Sequence, residues 1–224
     1  MDNDKLNVII TGSSGMVGEG VLQTCLKDDR VKNILVINRR TCGYVHPKLK
    51  EILRPDFFDL SSIENELKGY NACFFCLGIT SLKATEAQYS KTTYDLTLYI
   101  ADLIYKLNPD LTFIYVSGAG TTGNENAKLM WVRVKSKTEN ALANMPFRKE
   151  FNFRPAFMKA FKDAKNTQPV YKYFSWIFPI GRALKPGAFL TLEEVGRAMI
   201  NACYLTESRK NFEGKDILHA ARLE

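Results

Sequence analysis

Apolar residues, many of them β-branched, recur along this chain in short runs, separated by longer stretches with helical spacing. The runs predict strands at Asn7–Thr11, Asn33–Asn38, Glu51–Leu53, Ala72–Cys76, Thr112–Ser117 and Phe151–Arg154. The stretches between them predict helices near Met16–Lys27, Ser62–Lys68, Ala84–Leu107 and Ala127–Asn144. The third carries an apolar stripe, Leu96, Tyr99, Ile100, Leu103, Ile104 and Leu107, and Pro109 follows it. Ser61-x-x-Glu64 has the form of a capping box opening the second helix, and Gly69 suits its end. Strand–helix alternation of this kind predicts an α/β fold with one parallel sheet and helices on both faces. From Pro155 the pattern changes. A Lys-rich, aromatic-rich stretch runs to Leu190, then a helix from Leu192 to about Leu205 and a short strand at Asp216–His219. The expectation is a single domain over residues 1–224, with a core over about 7–158 and a small C-terminal lobe over about 159–224. That lobe would stand over the carboxyl ends of the strands, where ligands bind in such sheets.

Composition narrows the class. With 224 residues, 46% of them hydrophobic, the chain can bury a large core. No stretch has the length of a membrane span, and the first residues, M-D-N-D-K-L-N, lack the apolar block of a signal peptide. The five cysteines are scattered and odd in number, which suits a reducing cytoplasm better than a disulfide framework. Cys73 and Cys76 form a C-x-x-C inside an apolar run, with no second pair or spaced histidine, so both read as strand residues and no metal site is expected. The net charge of +7 admits an anionic ligand or weak attraction to nucleic acid or membrane, or simply a solvated basic surface.

The candidate chemistry begins at residues 7–18, N-V-I-I-T-G-S-S-G-M-V-G, where an apolar run meets three spaced glycines and then a helix. Gly12 suits a sharp turn, Gly15 the approach of backbone N–H groups to a pyrophosphate, and Gly18 close packing of helix on strand. The helix N-terminus then faces the phosphates with its unpaired donors. At the end of the second strand stands Ile37-Asn38-Arg39-Arg40 instead of the acid that holds a ribose 2′-OH. A guanidinium grips a 2′-phosphate, so the expected cofactor is NADP(H). Asp59 is a candidate for the adenine, and Leu77-Gly78-Ile79-Thr80 for the adenine-side ribose and pyrophosphate.

T-G-S-S-G-M-V-G, N-R-R, C-L-G-I-T, Y-V-S-G-A-G, W-V-R-V-K and F-R-P-A-F follow one another in an order that resembles an atypical short-chain dehydrogenase/reductase of the NAD(P)-binding, epimerase-like group. Within it the chain is most similar to the Tat-interacting-protein branch of oxidoreductase-like proteins. The resemblance covers roughly residues 7–158. It implies a Rossmann-type doubly wound sheet with a reduced substrate lobe. It also implies NADP(H) contacts at Gly12, Ser13, Ser14, Gly15, Met16, Val17, Gly18, Arg39, Arg40, Asp59, Leu77, Gly78 and Lys135, and at Arg154, Pro155, Ala156 and Phe157.

Hydride chemistry in that family uses a Ser/Thr with a Y-x-x-x-K pair on one helix. Ser117 fits the serine and Lys135 the lysine, but the tyrosine position holds Trp131, whose indole has no useful acid. Tyr89 and Tyr94 could substitute, though helix packing is the favoured reading for both. Trp131 reads equally as a stacking floor or a core aromatic, and Ser117 could simply bond to backbone. Two functions follow. One is an NADPH-dependent reductase of a small carbonyl, quinone or flavin-like acceptor. The other is a non-catalytic NADP(H)-binding redox sensor or regulatory protein. RNA binding lacks a recognisable motif, and a nucleotide-sugar epimerase lacks the tyrosine and a full substrate lobe. The partners expected are an unidentified small-molecule substrate and no nucleic acid. The aromatic, basic stretch Val170–Pro179 admits local packing, a cover over the active site, a homodimer face or a membrane contact.

Overall fold

The hydrophobic runs become strands whose alternate side chains both point into apolar layers, as expected of a parallel sheet covered on two faces. The computed structural model describes residues 5–82, 84–166, 177–206 and 210–223. In chain order the elements are β1 (Leu6–Thr11), α1 (Met16–Lys27), β2 (Val31–Asn38), β3 (Leu49–Leu53), a 3₁₀ turn (Ser61–Leu67) and β4 (Ala72–Phe75). Then come α2 (Glu86–Ser90), a π turn (Lys91–Asp95), α3 (Leu96–Leu107), β5 (Thr112–Val116), α4 (Met130–Ala143) and β6 (Lys149–Arg154). The remainder is β7 (Phe157–Lys159), α5 (Phe178–Leu184), a short 3₁₀ turn (Pro186–Ala188), β8 (Phe189–Thr191), α6 (Leu192–Ala202), β9 (Asn211–Glu213) and α7 (Gly214–Ala220).

Seven strands form one parallel sheet in the order β3-β2-β1-β4-β5-β6-β9, the doubly wound topology with its reversal between β1 and β4. One face packs Val8, Ile10, Ile34, Phe74, Ile114 and Phe153 against α1 and α6. The other packs Ile9, Leu35, Cys73, Phe75, Phe113 and Tyr115 against α3 and the 3₁₀ turn. Because ligands bind outside the carboxyl ends at the reversal, the glycine turn after β1 sits where this topology opens.

Four expectations change. The strand at Asp216–His219 is instead helix α7, and the strand lies just before it at Asn211–Glu213. The second helix is a 3₁₀ turn, and its Ser61–Glu64 capping box does not form. Asp59 takes both the Ser61 hydroxyl (2.7 Å) and its N–H (3.3 Å), so the serine is a donor to the preceding loop rather than a cap. The long third helix starts at Glu86, capped by Thr85 and Gln88, and is interrupted by the π turn. The Thr93 carbonyl in that turn accepts from Thr97 (2.7 Å) and from Thr138 of α4 (3.3 Å). Finally, the chain after residue 158 does not all form a lobe over the strand ends. Helix α6 packs on α1, so closely that a Cβ on Gly20 would fall 2.5 Å from Leu192 and one on Gly196 2.6 Å from Thr24. Strand β9 extends the main sheet beside β6. What stands apart is the two-stranded β7–β8 ribbon with α5. Residues 170–176 of the aromatic stretch lie outside the described residues.

Candidate functional site

At the end of β1 the backbone turns at Gly12 with φ +72°, and a Cβ there would meet the Leu77 backbone at 2.8 Å. Both facts demand glycine. The Gly15 N–H closes the turn on the Gly12 carbonyl at 3.0 Å. Gly18 lets α1 rest on it, since a Cβ would fall 2.3 Å from that same carbonyl oxygen. No side chain caps α1 at Gly15, so its first N–H groups are left as donors beside the opening.

That opening is a cavity of about 560 Å³ lined by Gly12, Ser14, Gly15, Asn38, Arg39, Arg40, Phe57, Cys76, Leu77 and Gly78. Seven of these are residues singled out from the sequence. Of the others so singled out, Ser13 is fully buried and bonded to Asn38, while Met16 and Gly18 are buried in the first turn of α1 and Val17 is half-buried. Asp59 is not among the lining residues, and its carboxylate accepts from Ser61. Phe57, two residues earlier, supplies the wall instead. Cys76 is the first residue after β4 rather than part of it, and burial pushes its thiol up to about 12. Among the described residues no group of His, Cys, Asp and Glu is placed to hold a metal ion.

A polar network fixes the arginine turn. Glu51 of β3 accepts from Asn38 Nδ2 (2.8 Å), the Cys42 N–H (2.8 Å) and the Thr41 hydroxyl (2.7 Å). Burial alone would raise its pKa, but these donors outweigh burial and hold the carboxyl below its usual range. Asn38 also donates to Ser13 (2.8 Å), so its amide is consumed within the fold. Arg39 and Arg40 remain exposed on the cavity. Glu19, in the first turn of α1, is a fully buried carboxylate, whereas Glu51 is only half-buried. It accepts from the Tyr44 hydroxyl (2.7 Å) and from the N–H groups of Lys165 (2.6 Å) and Asn166 (2.7 Å). Sequence reasoning missed Glu51 and Glu19, since neither lies in a motif.

The reaction end lies along β5, α4 and β6. Ser117 follows β5, buried, with its N–H on the Phe153 carbonyl (2.7 Å) and its hydroxyl 3.3 Å from that of Thr121. Lys135 reaches the carbonyl of Val116, next to Ser117, at 3.3 Å, and its ammonium lies 5.2 Å from the Tyr115 ring centre. Burial pulls its pKa down to about 8, against the opposing pull of Glu139 one turn along. Ser117 and Lys135 are therefore brought to one place.

Trp131, one turn before Lys135, is half-buried over the S-G-A-G loop. A Cβ on Gly120 would be 3.4 Å from its ring and one on Gly118 3.8 Å. Tyr89 is 3% exposed, and Lys137 covers the Tyr94 ring at 4.3 Å. Both tyrosines pack on the helix face. Arg154 departs from the resemblance. Its guanidinium is held by Glu139 (2.5 Å) and Glu213 (2.8 Å), tying α4 to β6 and β9. Pro155 offers its carbonyl to the Ala119 N–H (3.0 Å), and Phe157 stacks on Phe189 at 5.1 Å. Ala156 and Phe157 are exposed.

Comparison with known proteins agrees with this geometry. Residues 8–146 match the NAD dependent epimerase/dehydratase family. Rat "Protein HTATIP2" is 24% identical over 224 residues, spanning 96% of this chain and 89% of that protein, and is a distant homologue. "Protein FMP52-1, mitochondrial" of Scheffersomyces stipitis is 25% identical over 155 residues, 68% of this chain and 67% of its own length. Among solved structures, the Bordetella bronchiseptica enzyme WbmF in complex with NAD+ superposes with a TM-score of 0.68 at 14% identity, covering 97% of this chain and 76% of that one, a likeness of fold. Among the described residues no helix is long and apolar enough to cross a membrane.

Proposed function

We propose that this chain, which belongs to the NAD dependent epimerase/dehydratase family, is an NADP(H)-binding reductase of a small carbonyl, quinone or flavin-like acceptor that works without the usual tyrosine acid. The observation that carries the reading is the pair Arg39 and Arg40 facing the cavity while the Asn38 amide is consumed by Ser13 and Glu51. The family description and the Bordetella structure speak of NAD, so the choice of NADP(H) rests on residues 38–40 of this chain.

The glycine turn fits the group. The backbone of Gly12–Gly15 and the uncapped start of α1 would hold the pyrophosphate, Arg39 and Arg40 the 2′-phosphate, and Phe57 would wall the adenine side. The bound dinucleotide supplies a hydride. Ser117 would donate its hydroxyl hydrogen to the acceptor oxygen. Lys135 would hold the ribose and, with its pKa drawn toward neutrality, keep a proton available beside Ser117. Acceptors that take their proton from water would not need more. The reading includes a cytoplasmic location, supported by five free cysteines. Against it stands the word mitochondrial in the name of the Scheffersomyces relative.

The second reading, a redox sensor, is favoured by Trp131 in the tyrosine position. Titration of NADPH and NADH against the native protein and Arg39→Ala/Arg40→Ala tests the cofactor. A preference for NADPH that the double variant loses supports it, and equal binding of both cofactors refutes it. An acceptor panel then chooses. Turnover sensitive to Lys135→Ala supports the reductase. Tight binding without turnover, with a hydrodynamic change between NADP⁺ and NADPH forms, supports the sensor.

A further inference from the structure

A second cavity, of about 570 Å³, shares no residue with the first. It opens where β5 and β6 end and where β9 passes into α7. Its inner wall adjoins the reaction end through the neighbours of Ser117 and Lys135, although neither of those two side chains lines it. Ala119 lies two residues past Ser117 and is bonded to Pro155, and Arg154 is ion-paired to Glu139, one helical turn beyond Lys135. Its outer wall is the turn that follows α5. There the backbone of Gly187 rests directly on Gly214, where a Cβ would fall 1.8 Å from the Gly187 carbonyl oxygen. This close seat brings Lys185 and Lys215 to the same opening.

The lining has a definite chemical character. Leu184, Pro186 and Ala188 on one side, with Ala119 and Ala156 on the other, give apolar walls. Arg154 is already held between two carboxylates, Glu139 and Glu213. Lys185 and Lys215 have no ion pair among the described residues. The volume lies within the range of small-molecule sites, about 300–1,000 Å³.

We infer that this second cavity is the acceptor pocket and takes a compact ligand with an apolar body and one carboxylate, the apolar body against Leu184 and Ala156 and the carboxylate between Lys185 and Lys215. The assignment to an acceptor rests on the reductase reading, whereas the charge preference of the cavity stands on its own lining. Substrates of this class are keto or formyl acids with a small aromatic or branched frame.

The test uses two neutral-to-charged partners, acetophenone and para-acetylbenzoate, as binding probes. Each is titrated by calorimetry into the full-length protein and into Lys185→Gln/Lys215→Gln, with and without NADPH. Two solvent-facing ammoniums predict about tenfold tighter binding of the carboxylate probe. That gap should close in the double variant, whose NADPH affinity should stay unchanged. Equal binding of the two probes, or a preference that survives in the variant, overturns the inference. If NADPH fails to bind at all, the reductase reading falls, while the probe titrations without cofactor still decide the cavity.

Discussion

Two glycines three residues apart should respond to the same substitution in opposite ways. At Gly15 an added Cβ meets only the Gly12 carbonyl, at 3.4 Å, and otherwise projects toward the cavity that Gly15 lines. At Gly18 the Cβ falls 2.3 Å from that carbonyl oxygen and 2.6 Å from its carbon, and neither atom belongs to a flexible side chain. Gly15→Ala therefore costs stability only as a poorer N-cap, about 1 kcal/mol or less. Gly18→Ala forces α1 away from the turn. Overpacking of this kind costs about 1–3 kcal/mol, toward the top of that range against backbone, and alanine returns about 1 kcal/mol as a better helix former. The net loss is about 2 kcal/mol, or roughly 4–8 °C in Tm for a chain of this size. Ligand binding should divide the other way, with NADPH affinity falling at least about tenfold in Gly15→Ala because the methyl stands where backbone approaches phosphate. Thermal melts and NADPH titrations of both variants measure the split. Equal Tm losses, or a Gly15→Ala protein with native cofactor affinity, would refute the placement of the pyrophosphate on this turn.

Other expectations follow from buried charge. Lys135 has a folded pKa of about 8 against 10.5 for a free lysine, so stability should rise as pH goes from about 8 to 10.5. The half-buried position limits this to about 1 kcal/mol, and Lys135→Met should flatten the slope in denaturant titrations across that window. Glu150 of β6 is 7% exposed with neither carboxylate oxygen hydrogen-bonded, and burial raises its pKa from 4.5 to about 8. Its sign is opposite. Stability should fall between about pH 4.5 and 8, by at most about 5 kcal/mol, and Glu150→Gln should remove that fall. Replacing Glu19 by Ala leaves Tyr44 and two backbone N–H groups without an acceptor, a loss of about 3 kcal/mol. Faster proteolytic cleavage near Lys165 would report it, and an unchanged digestion pattern would count against the anchoring role.

The sequence made the front of the molecule readable because its signals there are local. A β-branched run before T-G-S-S-G-M-V-G, and N-R-R at the next strand end, each carry their structure within ten residues. The errors come from competition between partners of similar strength. D-I-L-H is a four-residue stretch with only two apolar residues, which period alone cannot assign, and Glu213 with Asp216 forms the reciprocal cap that makes it a helix. Ser61 donates its hydroxyl and N–H to Asp59 instead of capping the helix. In the π turn the Thr93 carbonyl also accepts from Thr138, 45 residues away, a partner no local pattern shows. Glu51 and Glu19 act through partners on other segments of the chain, so no motif marks them.

The crossing of α1 and α6 has a consequence for how the chain is made. Helix α1 buries its Gly20 and Thr24 against Leu192 and Gly196, residues synthesised long after it. At roughly 5–20 residues per second, α1 leaves the ribosome on the order of ten to thirty seconds before its partner does. During that interval the apolar side of α1 has no native cover, and the strand that completes the sheet, β9, does not yet exist. Contacts spanning most of the chain fold slowly. Helix α1 is thus made early among the described elements and sealed late.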